Sequence, residues 1–129
     1  MRESFSVINQ TKGKLPGLPF VIIKNDILGK DYSLSLAFID EVTSQRLNKT
    51  YRKKDKPTNI LSFPLSKTEG EILICPVVVK RELKKFGRTY RQLLGFLVIH
   101  GCLHLKGMRH SSTMERREKF YDQKYFSRH

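Results

Sequence analysis

Four short segments of the chain alternate apolar and polar residues or are rich in β-branched residues, as β-strands are. In the second of them, Leu34, Leu36 and Phe38 share one face. Glycine and proline residues separate the segments from their neighbours, as expected for turns and loops. The pattern predicts strands at residues 4–10, 32–39, 59–63 and 71–75, with a turn over residues 64–70.

Helical periodicity occupies the regions between these strands and most of the second half. Asp40 stands where an N-cap acceptor begins a helix, and Pro76 fits the first turn of another that Gly87 closes. These signals predict helices at residues 40–51, 76–86, 89 to about 105 and 112–126, and a helix-like segment of ambiguous type at 18–28. Interspersed strands and helices predict an α+β fold, as a single domain over residues 1–129 with a small mixed sheet packed against helices.

The composition adds a strong positive charge. The 129 residues include 25 Lys plus Arg and 12 Asp plus Glu, a formal net charge of +13. Such a surplus attracts polyanions, so nucleic acid is the expected partner. An anionic membrane surface is the alternative, although no amphipathic helix with aromatic anchors stands out. No apolar run approaches the roughly 18 residues that a bilayer span needs.

Two further features indicate the compartment. The chain begins with Met1 and two charged residues, without the apolar core of a secretory signal. Cys75 and Cys102 are too few for a disulfide framework, and we interpret them as reduced packing residues. We therefore expect a cytoplasmic protein.

Three of the four histidines follow the pattern H-x-x-x-H-x-x-G-x-x-H between positions 100 and 110. On a helix, His100 and His104 project side by side and can offer two imidazole nitrogens to one ion. Gly107 can adopt a positive φ, end the helix and return the chain so that His110 reaches the same point. Three imidazoles leave one tetrahedral position for water, as in catalytic zinc sites. The alternative is that the helical pair are satisfied core histidines.

The same spacing occurs in metzincin-type proteases, which require a glutamate directly after the first histidine as general base. Here that position is Gly101. A protease built on this site would lack the group that deprotonates its water, so peptide hydrolysis is disfavoured.

A second motif accompanies the histidines. Residues 47–64 read LNKTYRKKDKPTNILSFP, residues 70–74 read GEILI, and residues 100–107 read HGCLHLKG. In this order the three segments resemble the YbeY family of ribosomal RNA maturation endoribonucleases. The resemblance implies an α+β domain with a zincin-like metal site, one zinc ion per chain, and cleavage of single-stranded RNA. It further implies 3′-end processing of 16S ribosomal RNA, ribosome quality control and the small ribosomal subunit as partner, with no DNA or membrane involved.

Carried over position by position, the resemblance assigns the site residues. His100, His104 and His110 match the metal ligands of the family, and Arg52 matches its functionally important arginine. We expect Arg52 and His104 to be catalytic. The residues expected to bind substrate are Arg52, Lys53, Lys54, Thr58, Asn59 and Ser62.

The chain departs from the family pattern at two positions. Arg109 precedes the third histidine, where the family commonly has aspartate, and Glu71 follows Gly70, where aspartate is usual. The first change removes a carboxylate that would orient His110, so we expect weaker metal retention.

Several assignments stay open. Residues 46–56 and 80–91 each hold six cations and one acid, and either run is a candidate for RNA backbone contact or merely a solvated face. Tyr51 and Phe63 could stack on bases, although core packing is favoured for Phe63. Turn and strand-edge hydrogen bonding is the alternative for Thr58, Asn59 and Ser62.

The sequence does not identify the general base or the attacking nucleophile. Residues 115–129 are predicted to form a solvated helix in which His129 has no role. A non-catalytic RNA-binding or ribosome-binding assembly factor with a structural zinc is the rival function.

Overall fold

The computed structural model describes residues 5–126, which form a four-stranded sheet with helices. The strands are β1 (Phe5–Asn9), β2 (Ser33–Phe38), β3 (Ile60–Pro64) and β4 (Glu69–Ile74), in the order β1-β2-β4-β3. The first three in that order are parallel, and β3 runs antiparallel to β4 at the edge of the sheet. The predicted α+β fold with a small mixed sheet is confirmed. Ser4 of the first predicted strand and His129 lie outside the described residues.

The helices are α1 (Phe20–Leu28), α2 (Glu41–Arg52), α3 (Pro76–Arg81), α4 (Leu83–Phe86), α5 (Tyr90–Leu105) and α6 (Ser112–Phe126). Asp40 caps α2 as predicted, because its Oδ1 accepts a hydrogen bond from the Thr43 amide at 2.8 Å. A capping box of Thr89 and Gln92 begins α5. The ambiguous segment at 18–28 is helical. Within residues 5–126, no helix has both the length and the apolar character needed to span a membrane.

The predicted helix over residues 76–86 is interrupted at Glu82, so it forms α3 and α4 instead. The Glu82 amide donates to the Val79 carbonyl, three residues back, in place of an α-helical bond. The Glu82 carboxylate accepts a hydrogen bond from Asn59 Nδ2 at 2.8 Å, from 23 residues away in the chain. Local periodicity carries no information about such a contact.

Alternation along β3 divides its side chains between the two faces of the sheet. Ile60 belongs to the main core, which includes the buried leucines of α5. Leu61 lies in a smaller cluster on the other face, where Phe63 and Leu47 of α2 pack against it. The sheet therefore separates α5 from α2, with β3 passing between them. Both Cys75 and Cys102 are free and buried, as predicted.

The last helix is mostly exposed, as predicted, but one face of it packs on α5, so the prediction that the whole tail is solvated is wrong for that face. Met114, Glu118 and Tyr121 are buried, with exposures of 1%, 8% and 4%. At the far end of α6, Phe126 lies against Gly95 of α5, where a Cβ would come within 2.2 Å of the phenyl ring. These contacts fix the register of α6 along α5.

Candidate metal centre

Helix α5 and the turn that follows it bring three histidines together. His100 and His104 are one helical turn apart on α5. Gly107 has φ 103°, and its amide donates to the His104 carbonyl at 2.9 Å. The Met108 amide donates to the Leu103 carbonyl at 3.1 Å. This left-handed turn ends the helix and returns His110 to the other two rings, as the spacing predicted.

The three imidazole rings surround a common point. Their centroids are 4.5 Å (His100–His104), 5.2 Å (His100–His110) and 5.0 Å (His104–His110) apart. The Nε2 atoms of His100 and His104 are separated by 3.0 Å, and one nitrogen of each ring lies within 4.8 Å of the others. Tetrahedral zinc, with Zn–N bonds of about 2.0–2.1 Å, places its nitrogen ligands about 3.3 Å apart. The donor set therefore fits, and the three histidines could hold a metal ion.

Burial differs among the three rings and affects their protonation. His100 and His104 are half-buried, whereas His110 is exposed. Burial, followed by the charges of the two neighbouring histidines, lowers the pKa of His104 below its ordinary value of 6.5. The imidazole of His104 is therefore neutral at pH 7, which is the form that binds a metal. The exposed side at His110 leaves the centre open to a ligand from solvent.

A carboxylate that was not predicted from the sequence lies next to His100. Glu118 Oε2 on α6 is 2.6 Å from His100 Nδ1. An ionised carboxylate can only accept, so Nδ1 donates and Nε2 remains free to face His104. The spacing of Met114, Glu118 and Tyr121, at i, i+4 and i+7, is the signal that could have revealed a packed face of α6.

Gly101 lies between the two helical histidines, at the position where metzincins have their glutamate. A Cβ at this position would be 2.9 Å from Cδ1 of Ile72 and 3.1 Å from both Cδ1 of Ile60 and Oγ of Ser62. Helix α5 therefore packs closely on β3 and β4 at this glycine. A glutamate at position 101 would require the side chains of Ile60, Ser62 and Ile72 to shift.

Arg52 is the last residue of α2 and begins an exposed basic loop. Lys53 follows it in a left-handed conformation, with φ 62°, and Lys54 is exposed as well. In the part of the chain that the structure describes, the Arg52 guanidinium has no hydrogen-bond or ion-pair partner. It is therefore available to a ligand.

Strand β3 links this loop to the histidines. The Tyr51 ring packs edge-to-face on Phe63, with centroids 5.1 Å apart. Ser62, the preceding residue, directs its hydroxyl to the opposite face of the sheet, beside Gly101. Strand β3, at the edge of the sheet, therefore lies between the helix that ends at Arg52 and the helix that carries His100 and His104.

Two of the six cations in the second basic run, residues 80–91, form ion pairs within the protein. Arg81 forms a bidentate ion pair with Glu41 of α2. Arg88 pairs with Asp122 of α6 at 3.0 Å. These contacts fix helices to one another, so the loop after α2 is the better candidate for an anion-binding surface.

Two of the three polar residues expected at the substrate surface have structural contacts. The backbone amide and carbonyl of Thr58 are both bonded to Ser44 Oγ, at 2.9 and 2.8 Å. Asn59 donates to Glu82, as described above. The Ser62 hydroxyl has no hydrogen bond among residues 5–126 and lies beside Gly101 of the histidine helix.

The two departures from the family pattern have different surroundings. Glu71 pairs with Phe63 across the β3–β4 ladder and lines a surface cavity of about 320 Å³ on the face away from α5. It does not join the histidine cluster. Arg109 is exposed, and no carboxylate within residues 5–126 is hydrogen-bonded to His110.

Comparison with known proteins places these features in a family context. A family model described as Endoribonuclease YbeY matches residues 20–128. A protein named Endoribonuclease YbeY from Staphylococcus carnosus is 34% identical, with 78% of this chain and 74% of the relative aligned. Its namesake from Staphylococcus epidermidis is 35% identical, with 75% and 72% aligned. The solution structure of a Thermotoga maritima protein matches with TM-score 0.67 at 27% identity, covering 92% of this chain and 87% of that one. The matched span of the family model contains all three histidines and Arg52.

Proposed function

The chain belongs to the YbeY family of endoribonucleases, and we propose that it hydrolyses single-stranded RNA at a zinc ion held by His100, His104 and His110. The observation that carries the proposal is the convergence of three imidazole nitrogens within 4.8 Å of one another. Imidazole ligands suit zinc, whereas carboxylate and carbonyl oxygens suit magnesium and calcium. We propose one ion per chain in a zincin-like arrangement, within a domain that spans residues 1–129.

When bound, zinc would supply Lewis acidity toward a phosphoryl oxygen and would lower the pKa of water. The side chains of this protein then have separate tasks. His100 and His110 hold the ion, and His104 holds it with a ring that burial keeps neutral. Arg52 donates two parallel hydrogen bonds to the scissile phosphate, a planar match that lysine lacks. In this proposal, Arg52 and His104 are the catalytic residues.

The RNA backbone would approach along the loop after α2. Arg52, Lys53 and Lys54 offer exposed cations there, and backbone contacts of this kind weaken steeply as salt rises. We include Thr58, Asn59 and Ser62 in the substrate-binding surface. Ser62 has the closest connection to the metal centre, because its hydroxyl lies beside Gly101.

The substrate would be ribosomal RNA. We propose 3′-end processing of 16S ribosomal RNA and a part in ribosome quality control, with the small ribosomal subunit as partner. Family membership supports this assignment, and a net charge of +13 favours a polyanionic ligand. The reaction would take place in the cytoplasm, where ribosomes mature, and neither DNA nor a membrane is expected as a partner.

The decisive experiment combines metal analysis with an RNA cleavage assay. The protein is purified without chelators, its zinc content is measured, and it is incubated with labelled single-stranded and double-stranded RNA. We expect about one zinc per chain and cleavage of the single strand. His104→Ala should lose both zinc and cleavage, whereas Arg52→Ala should keep the zinc and lose most of the cleavage.

Two outcomes would contradict the proposal. Full cleavage by Arg52→Ala would remove the phosphate-binding role of the arginine. A zinc-loaded protein that retains RNA without cutting it would favour an assembly factor with a structural zinc. The geometry disfavours that rival, because structural zinc sites have four protein ligands, whereas within residues 5–126 three histidines converge and His110 is exposed.

A further inference from the structure

The metal centre has a positioning residue that neither the histidine motif nor the family resemblance assigned. We propose that Glu118 of α6 orients His100 for metal binding and supplies the negative charge that strengthens the site. This inference rests on the zinc site of the proposed function, but it does not depend on cleavage of RNA.

The contact between Glu118 and His100 has the geometry of a strong, charge-assisted hydrogen bond. The atoms Oε2 and Nδ1 are 2.6 Å apart, and the two side chains are 11% and 19% exposed. A proton held on Nδ1 leaves the lone pair on Nε2, the atom that lies 3.0 Å from Nε2 of His104. The carboxylate thus selects the tautomer and the ring orientation that metal binding at this centre requires.

Packing of α6 on α5 holds the carboxylate in this place. Met114, four residues before Glu118, and Tyr121, three residues after it, are both buried against the core. Phe126 packs on Gly95 at the far end of the helix. Glu118 therefore reaches His100 from a fixed helix, so little conformational entropy is lost when the hydrogen bond forms.

The charge of Glu118 also compensates for a feature of this sequence. Arg109 stands where the family commonly has aspartate, and His110 has no carboxylate partner among residues 5–126. Three neutral imidazoles leave both positive charges of a zinc ion without a negative ligand. Glu118 supplies one negative charge through His100, so the carboxylate that the turn lacks comes from the following helix.

Zinc affinity is the measurement that separates this role from a merely structural one. Competition with a chromophoric chelator gives the dissociation constant for Zn²⁺ in the wild type and three variants. Glu118→Gln keeps a hydrogen-bond acceptor but removes the charge, and we expect about tenfold weaker binding. Glu118→Ala removes both, and we expect a loss nearer a hundredfold. Glu115→Gln removes an exposed charge one turn earlier on α6 and should change affinity less than about twofold.

Thermal unfolding of each metal-free variant establishes that it is folded. A second readout needs no variant: the ring ¹⁵N spectrum of the zinc-loaded wild type should show a protonated Nδ1 on His100, protected from exchange with water. Unchanged zinc affinity in folded Glu118→Gln and Glu118→Ala would overturn the inference, and so would coordination through Nδ1. If the protein binds zinc but leaves RNA intact, the proposed function is refuted and the inference about Glu118 is not. If the protein binds no zinc, both the proposed function and the inference are refuted.

Discussion

Ser44 anchors the basic loop, and its replacement by alanine tests how that loop is held. Its hydroxyl is fully buried within α2. Oγ donates to the Thr58 carbonyl at 2.8 Å and accepts from the Thr58 amide at 2.9 Å. One side chain thus satisfies both backbone groups of a residue 14 positions away. A second hydrogen bond, which Asn48 Nδ2 donates to the Lys56 carbonyl at 2.9 Å, holds the middle of the loop.

The cost of Ser44→Ala follows from these two bonds. Each is worth about 1 kcal/mol, and leaving partly buried backbone groups unpaired adds to the loss. The higher helix propensity of alanine offsets about 0.5 kcal/mol of this loss in stability. We expect a net decrease of about 2 kcal/mol in the free energy of unfolding. For a chain of 129 residues, the unfolding entropy of about 0.27 kcal/mol per degree converts this to a fall of about 7 °C in Tm.

Differential scanning calorimetry of the wild type, Ser44→Ala and the control Thr50→Ala measures the effect. Thr50 is exposed on the same helix, so Thr50→Ala should leave Tm unchanged or raise it slightly. A fall of less than about 2 °C in Ser44→Ala, or a change equal to that of the control, would refute the reasoning. It would mean that water or a rearranged loop satisfies Thr58 at little cost.

Three further predictions concern other parts of the molecule. Hydrogen bonds from Lys124 and Tyr125 lower the pKa of Asp26 below its ordinary value of 3.8. The ionised carboxylate therefore stabilises the folded state fully above pH 3.8, and this contribution is lost as the pH falls through the lowered pKa. Urea unfolding between about pH 5 and 2 should show a smaller loss of stability with acid in Asp26→Asn than in the wild type, and identical pH profiles would contradict this. Burial raises the pKa of Cys75 and raises that of Cys102 to about 12. A thiol reagent at about pH 8 should therefore label neither cysteine in the native protein and both cysteines in guanidinium. Rapid labelling of the native protein would show that the core opens. Gly101→Ala should lower the free energy of unfolding, measured by urea titration, by about 1 kcal/mol. Crowding of the new methyl group against the sheet costs about 1–3 kcal/mol, which exceeds the gain of about 1 kcal/mol in helix propensity. A more stable variant would show that side chains of β3 and β4 move to accommodate the methyl group.

Local chemistry explains which features were predictable. The N-cap at Asp40, the helix end at Gly107 and the pairing of His100 with His104 each depend on residues within four positions of one another. Backbone geometry alone relates such residues, so pattern and spacing predicted them correctly. Even the approach of His110 follows from a single left-handed turn. The spacing of the three histidines was therefore sufficient to identify them as candidate metal ligands.

Features that depend on distant residues could not be predicted in this way. The break at Glu82 accompanies a hydrogen bond from Asn59 in the loop before β3, and the anchoring of Thr58 depends on Ser44 of α2. The order of the strands and the placement of β3 between the basic loop and α5 also result from packing. The sequence pattern predicted that α6 would form. Because most residues of α6 are polar, the pattern did not reveal which face packs on α5.

By itself, then, the sequence determined most of the elements, the family and the three metal-ligand candidates, because these depend on local spacing and on recognisable motifs. Only the tertiary structure decided that Glu118 meets His100, that Gly101 packs closely on the sheet, and that, among residues 5–126, Arg52 has no ion-pair partner while Arg81 and Arg88 are paired. These outcomes depend on which helix faces lie against one another, and burial of apolar surface over the whole chain fixes that choice.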